Sequence, residues 1–261
     1  MEKNFNYDKY IWVYGKHPVI EAIKNPKRKI KKIFIFREHK ILIKKITEIL
    51  LKNKKKILVE EVKNSFFFNK VAINAKHQGI IASCGRLEFS NYKNIFSNKF
   101  YNNFKLGLIL DNITDINNVG AIYRSAFSFG VDFVITEDKN SPLENGALLN
   151  SSCGTFDKIT SYKSKNINTL ISEFKKKNWW IAGLDHLGEV ETESFFKENK
   201  SIQKLLFILG SEGKGIRRLV KKNCDFLVKI KTKNQNSSIN VSNAAAIFLY
   251  EAYKNFKYLN A

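Results

Sequence analysis

Three polar segments of this 261-residue chain hold side chains that could orient a ribose or a phosphate. The first, Asp111-Asn112-Ile113-Thr114-Asp115-Ile116-Asn117-Asn118-Val119-Gly120, closes an apolar run and leads on to Arg124. Asn118 is placed to cap a helix, which would set Arg124 near the end of its second turn. An Arg there brings a rigid fork of donors suited to a phosphate or a ribose oxygen. A plain helix cap with a surface Arg is the structural alternative. Gly120 lowers helix propensity in the first turn but lets another backbone or a ligand come close.

The second segment, Gly210-Ser211-Glu212-Gly213-Lys214-Gly215-Ile216, follows an apolar run, and its glycines free backbone amides to turn toward a ligand. It lacks the spacing of a P-loop and of a dinucleotide fingerprint, and no acidic residue is expected to end a second strand in the Rossmann manner. Glu212 would repel a pyrophosphate, so this pocket suits a nucleoside or a cationic ligand. The third segment runs Asn236-Ser237-Ser238-Ile239-Asn240-Val241-Ser242-Asn243 into Ala244-Ala245-Ala246. Asn240 can cap the helix that follows. The small residues permit close helix packing, and Phe248, Leu249, Ala252, Tyr253 and Phe256 read as core or subunit contacts.

The elements that must hold these loops are legible as alternating apolar runs and helical periods. Strands are predicted at 106–111, 133–136, 179–184, 205–209 and 226–230, with helices at 118–129, 167–177, 216–221 and 241–256. Such alternation implies an α/β fold with a mostly parallel sheet covered on both faces, and ligands bind at the carboxyl ends of such strands. Upstream, residues 1–86 form a smaller α/β unit. A helix opens at Pro18, strands lie around 33–36, 57–59 and 78–82, and a helix-like stretch surrounds Phe66. Residues 87–103 read as a linker and 104–261 as the second domain.

The chain carries 45 basic and 24 acidic residues, a net charge of +21, more than solubility alone requires. That excess points to a nucleic-acid partner. Only six of the basic residues are Arg, and 29 Asn accompany the many Lys, a mixture that an A+T-rich genome also produces. Residues 24–56 hold 14 basic and two acidic residues, which makes Arg28 and Lys32 candidate phosphate contacts. Three cysteines without a C-x-x-C pair indicate neither a disulfide framework nor a zinc ribbon. His39 and His186 lack ligand-spaced partners, so no metal is expected. No signal peptide and no membrane-length apolar run is visible, and a cytoplasmic protein is expected.

Taken in order, N-x-G-x-x-x-R from Asn118 to Arg124, G-x-E-G-x-G from Gly210 to Gly215, and S-x-N-V-S from Ser238 to Ser242 resemble the three motifs of the SpoU (TrmH) branch of the SPOUT RNA 2′-O-methyltransferases. The Val13–Val19 and His77–Ala82 stretches look like the L30e-like RNA-binding domain that precedes the catalytic domain in bacterial 23S rRNA guanosine 2′-O-methyltransferases. The resemblance implies a trefoil-knotted C-terminal domain, S-adenosylmethionine as cofactor and a homodimer with shared active sites. Its substrate would be RNA, 23S rRNA or a large-subunit precursor. Alternatives are a tRNA or resistance-type adenosine methyltransferase and a non-catalytic RNA-binding assembly factor.

Carried across residue by residue, the family's pattern places cofactor contacts at Gly183, Leu184, Gly210, Gly213, Ile230 and Ile239. Catalysis and ribose binding fall to Asn118, Arg124, Glu212, Ser238 and Asn240, with the general base left open. Gly15, Lys16, His17 and His77 fall in the RNA-binding motifs. The family usually has a Pro where this chain has Lys231, which loosens the expected shape of the adenine pocket.

Overall fold

A computed structural model describes residues 10–63, 66, 71, 75–97, 104–234 and 239–256. The helix-like stretch expected around Phe66 lies almost wholly outside the described residues, as does Ser238. The chain divides into two compact units, Met1–Glu88 with Leu143–Lys158, and Phe89–Pro142 with Ile159–Ala261.

In the first unit four strands, β1 (Tyr10–Tyr14), β2 (Ile30–Phe36), β3 (Leu58–Val62) and β4 (Ile80–Gly85), form a sheet of order β1-β4-β2-β3. β4 runs antiparallel to both neighbours and β2 parallel to β3. Helices α1 (Lys16–Lys24) and α2 (Lys40–Lys52) turn Ile20, Ile23, Leu42 and Ile46 onto Ile11, Val13, Ile33 and Ile35. The opposite face buries Phe34 and Ile81 with Trp12, Tyr14 and Phe36 packed alongside. β4 is therefore covered on both faces, which is why it reads as the unbroken apolar run Ile80-Ile81-Ala82.

Leu143–Lys158 was expected in the second domain, yet it is built into this unit. Its short helix, Gly146–Ser151, sets Leu149 into the core. The helix lies so close to β1 that a Cβ on Gly146 would meet the Trp12 carbonyl oxygen at 2.1 Å. Arg28 anchors both ends of the segment. Its Nε and Nη2 donate to Asp157 at 2.9 Å each, and its Nη1 donates to the Gly85 carbonyl at 2.9 Å and to Glu144. The Leu87 amide donates to the other Glu144 oxygen at 2.8 Å. Burial pushes the Glu144 carboxyl above its ordinary range although Arg28 pulls it down. Burial likewise opposes the Arg28 charge, yet the two carboxylates raise its pKa.

In the second unit the seven strands β5 (Lys105–Asp111), β6 (Phe133–Glu137), β7 (Thr160–Ser164), β8 (Trp180–Leu184), β9 (Val190–Glu191), β10 (Lys204–Gly210) and β11 (Phe226–Lys229) are all paired in parallel, in the order β7-β6-β5-β10-β8-β11-β9. The central β10 is buried from Leu205 onward. One face packs Ile167, Leu170, Ile171 and Phe174 of a helix at Ile167–Lys175. On the other, Phe248 of a helix at Val241–Phe256 stacks on Phe207. Of the segment 87–103, expected to be a loose connector, residues 98–103 lie outside the described residues, while Ser90 bridges to Tyr162 and Ile95 is buried in this core. No described helix is long and apolar enough to cross a membrane.

The anchoring role of Arg28 is open to direct measurement. Arg28→Met strands two buried carboxylates and is expected to lower stability by about 3–5 kcal/mol. Urea unfolding of the full chain measures this, and an unshifted midpoint would show that the network contributes nothing.

Candidate active site

All seven strands of the second unit point the same way, so the loops that leave β5, β10, β8 and β11 emerge along one edge of the sheet. After β5, Asp115 rather than Asn118 caps the helix that begins at Ile116. The Asp115 side chain accepts from the Asn118 amide at 2.8 Å. Asp115 sits three residues upstream with an extended backbone, so it reaches the third helical N–H and leaves the Asn118 side chain free.

That side chain turns to Glu212. Asn118 Nδ2 donates to Glu212 Oε1 at 3.0 Å, and Asn240 Nδ2 donates to the same oxygen at 2.6 Å. Asn240 Nδ2 also donates to Asn118 Oδ1 at 3.1 Å, which closes a triangle. Asn240 caps the last helix as well, because its Oδ1 accepts from the Ser242 amide at 2.9 Å and from the Ser242 hydroxyl at 2.6 Å. Capping and site assembly, read from the sequence as alternatives for Asn240, are thus carried by the two ends of one amide. Three of the expected catalytic residues meet here, one from each polar loop. Arg124 lies exposed on the Ile116–Ser128 helix, and its side chain has no ion pair or hydrogen bond among the described residues.

A second network holds two of the loops together, and sequence reasoning missed it. Arg217, directly after the glycine-rich loop, donates its backbone N–H to Asp111 Oδ2 at 3.0 Å and its Nε to Asp111 Oδ1 at 2.7 Å. Its Nη2 donates to Glu137 at 2.5 Å. Burial works against its charge, but the two carboxylates hold its pKa above the ordinary value. Glu137 ends β6, the second strand of this unit, but not in the Rossmann manner, since its carboxylate is turned to Arg217. It is 6% exposed and engaged by Arg217. The signal available was Asp111, a carboxylate ending an apolar strand, which requires a cation nearby.

Gly210, Leu184 and Ile230 sit at or just beyond the ends of the neighbouring strands β10, β8 and β11, and Ile239 directly precedes Asn240. Leu184, Ile230 and Ile239 are half-buried. A Cβ on Gly210 would lie 2.1 Å from the backbone of Gly215 and Ile216, so the loop folds back directly over this strand end. Gly213 (φ +77°) has open space beside it, whereas the empty side of Gly183 is filled by Ile216 and Cys224. Lys231 pairs with Glu191 at 3.3 Å.

Among the expected RNA contacts in the first unit, Lys16 and His17 are exposed and Gly15 is left-handed at φ +95°. His77 is half-buried, and burial together with nearby His39 lowers its pKa. Lys32 pairs with Glu60 and lies over the Phe34 ring. Arg28 is corrected: at 2% exposure, with its donors turned to two carboxylates and a carbonyl, it cannot reach a phosphate. No group of three or more potential metal ligands occurs among the described residues.

Residues 105–250 match the SpoU rRNA Methylase family, and residues 12–90 match the family described as RNA 2′-O ribose methyltransferase substrate binding. A Staphylococcus haemolyticus protein named to the TrmH family of tRNA/rRNA methyltransferases is 32% identical, over 94% of this chain and 95% of that protein. The 23S rRNA (guanosine-2′-O-)-methyltransferase RlmB of Coxiella burnetii is 35% identical, over 69% of this chain and 71% of its own length. The fold is similar to that of the SpoU methyltransferase AviRb from Streptomyces viridochromogenes, solved with AdoMet. The TM-score is 0.77 at 20% identity, over 96% of this chain and 93% of that one.

Removing the Arg217 side chain should loosen the glycine-rich loop. Arg217→Ala leaves buried Asp111 short of a partner, at a cost of about 1–3 kcal/mol. Amide hydrogen exchange at Ser211–Ile216 is expected to quicken ahead of the rest of the sheet, and protection equal to wild type would remove Arg217 from that role.

Proposed function

This chain belongs to the SpoU rRNA methylase family, and from that membership we propose that it methylates the ribose 2′-hydroxyl of a guanosine in 23S rRNA. As a family member it is an RNA 2′-O-methyltransferase that uses S-adenosylmethionine. The observation carrying the assignment of roles is the closed Asn118–Glu212–Asn240 triangle at the carboxyl edge of the sheet.

The chemistry of the strand ends fits the cofactor. Leu184, Ile230 and Ile239 offer half-buried aliphatic surface for an adenine, and Gly213 leaves open space beside the backbone of the glycine-rich loop. Glu212 adds negative charge, which suits a cationic ligand and repels a polyphosphate. When bound, the cofactor supplies an electrophilic methyl group.

The chain's own groups must align the ribose oxygen and take its proton. Asn240 Nδ2 spends both its hydrogens inside the triangle, whereas Asn118 Nδ2 spends one and keeps one for a ribose oxygen. Glu212 Oε1 is committed to two amides, and its Oε2, without a hydrogen bond among the described residues, receives the hydroxyl proton through water. Arg124, permanently charged, holds the adjacent phosphate. Ser238 is assigned with Asn240 to the ribose, and Gly15, Lys16, His17 and His77 to gripping the RNA.

We place a second copy of the chain against the helices that carry Arg124 and Asn240. Their outer faces expose Phe127, Ile247, Tyr250 and Tyr253, an apolar surface that a homodimer would cover.

The function is tested by mapping 2′-O-methyl groups in rRNA and tRNA from cells with and without the gene, complemented with wild type or Arg124→Ala. One 23S mark restored only by the wild type is expected, with the variant down by roughly 10²-fold or more. No lost mark, with the protein still on ribosomal particles, would make it a non-catalytic RNA-binding factor. Tyr250→Asp is expected to shift the sedimentation of the protein from dimer to monomer and to cut methylation about tenfold or more. A fully active monomer would refute the shared-site arrangement.

A further inference from the structure

Three left-handed turns meet in the first unit. Gly15 (φ +95°) follows β1, Gln78 (+51°) and Gly79 (+75°) precede β4, and Cys153 (+51°) with Gly154 (+82°) follows the Gly146–Ser151 helix. Gln78 and Cys153 carry a Cβ into a conformation that disfavours one, and such strain gathers at functional loops. The first two turns are bonded directly, with the Lys16 amide donating to Gln78 Oε1 at 2.9 Å and the Gly15 amide to the Ile80 carbonyl at 3.2 Å.

Asn150 ties both to the third turn. Its Nδ2 donates to the Tyr14 carbonyl at 3.2 Å and, more weakly, to the Lys76 carbonyl at 3.5 Å. Positive φ favours glycine at Gly15 and Gly154, and their neighbours stand close. A Cβ on Gly15 would sit 2.8 Å from Asn150 Nδ2, and one on Gly154 would sit 3.1 Å from the His17 carbonyl. Tyr14–Pro18, Ala75–Gly79 and Asn150–Thr155 together hold two lysines and two histidines and no acidic residue. Lys16, His17, Lys76, Gln78 and Cys153 are exposed. Glu21 packs beside Gly154 but is paired with Lys24 and Lys158, so positive charge and adaptable polar groups predominate, the chemistry that receives a phosphate backbone.

We infer that the RNA-contacting surface of this unit is composite, completed by the Cys153–Gly154 turn, and that Asn150 is the positioning residue that fixes the Lys16–His17 loop against the Lys76–Gln78 turn. This rests on the RNA methyltransferase reading and deepens it. The completing segment falls within residues 105–250, the stretch that matches the methylase family, and not within the substrate-binding match at residues 12–90.

Asn150→Asp turns the donor into an acceptor facing two carbonyls. The expected result in the full-length enzyme is a KM for an rRNA fragment raised about tenfold, with kcat and cofactor affinity unchanged, the cost of one lost hydrogen bond. Asn150→Gln, which keeps a donor, should recover most of it. A variant that is merely less heat-stable with an unmoved KM would reduce Asn150 to packing and overturn the proposal.

Cys153 gives a measurement free of folding defects. Burial pushes the Cys84 and Cys224 thiols up to about 12, so a thiol-directed benzophenone attaches at exposed Cys153. The labelled protein is expected to cross-link to the rRNA fragment, as should a Cys153→Ser protein labelled at Lys16→Cys, and unlabelled RNA should compete with both. Cross-linking from position 16 alone removes the Cys153 turn from the RNA path and sinks the composite surface. Silence from both positions, with no methylation of any RNA offered, takes down the RNA reading itself.

Discussion

A carboxylate buried at the end of a central strand has to find a cation, and at Asp111 that cation is Arg217. The pairing is bidentate and includes the Arg217 backbone amide, so it fixes the position of the chain as well as its charge. Asp111 begins the loop that delivers Asn118, and Arg217 ends the loop that delivers Glu212. Pinning these two points sets the separation across which the Asn118–Glu212 hydrogen bond forms. Glu137 takes the remaining arm of the guanidinium and extends the same clamp to β6. The exposed triangle at the surface is therefore held in register by ion pairs beneath it, and its own hydrogen bonds need only orient the three side chains.

The first unit solves an analogous problem with the same residue type. Of six arginines in the chain, Arg28 and Arg217 are both consumed by pairs of carboxylates. A planar fork can satisfy two carboxylates at once, which a lysine ammonium does poorly. In a chain where lysine supplies most of the charge, arginine marks places where geometry matters. The charge count around residues 24–56 could not separate a phosphate-facing Arg28 from a buried one, because the two carboxylates that claim it lie more than a hundred residues away.

Legibility followed the same division. β5, β6, β8, β10 and β11 were readable within a residue or two, since parallel strands covered on both faces must be continuously apolar. The edge strand β7, Thr-Ser-Tyr-Lys-Ser, has no such run and stayed hidden. So did the passage of Leu143–Lys158 into the first unit, which depends on long-range contacts to Arg28 and β1. At the site, residue types and spacing pointed to Asn118, Glu212 and Asn240, but not to their mutual hydrogen bonds or to Asp115 as the cap. Asp and Asn are equally good caps, so which of them turns inward is decided by the position of Glu212 in the loop after β10.

Lys231, where the family usually has a proline, shows how such a scaffold absorbs change beyond the end of β11. A proline there would fix φ and stiffen the loop by limiting its unfolded states, an effect of about 0.4–1 kcal/mol. Lys231 instead reaches Glu191 at 3.3 Å with its side chain 79% exposed. A pair so exposed contributes roughly 0–1 kcal/mol and is screened by salt. The two solutions are close in energy but differ in kind, since the proline restrains the backbone and the ion pair restrains only a side-chain tip. Val228 is buried in the sheet and Ile230 and Ile239 are half-buried, and Lys231 pairs only with Glu191 beside them. Apolar packing at the strand ends, at Val228 and Ile230, therefore fixes this edge of the sheet independently of the residue at position 231.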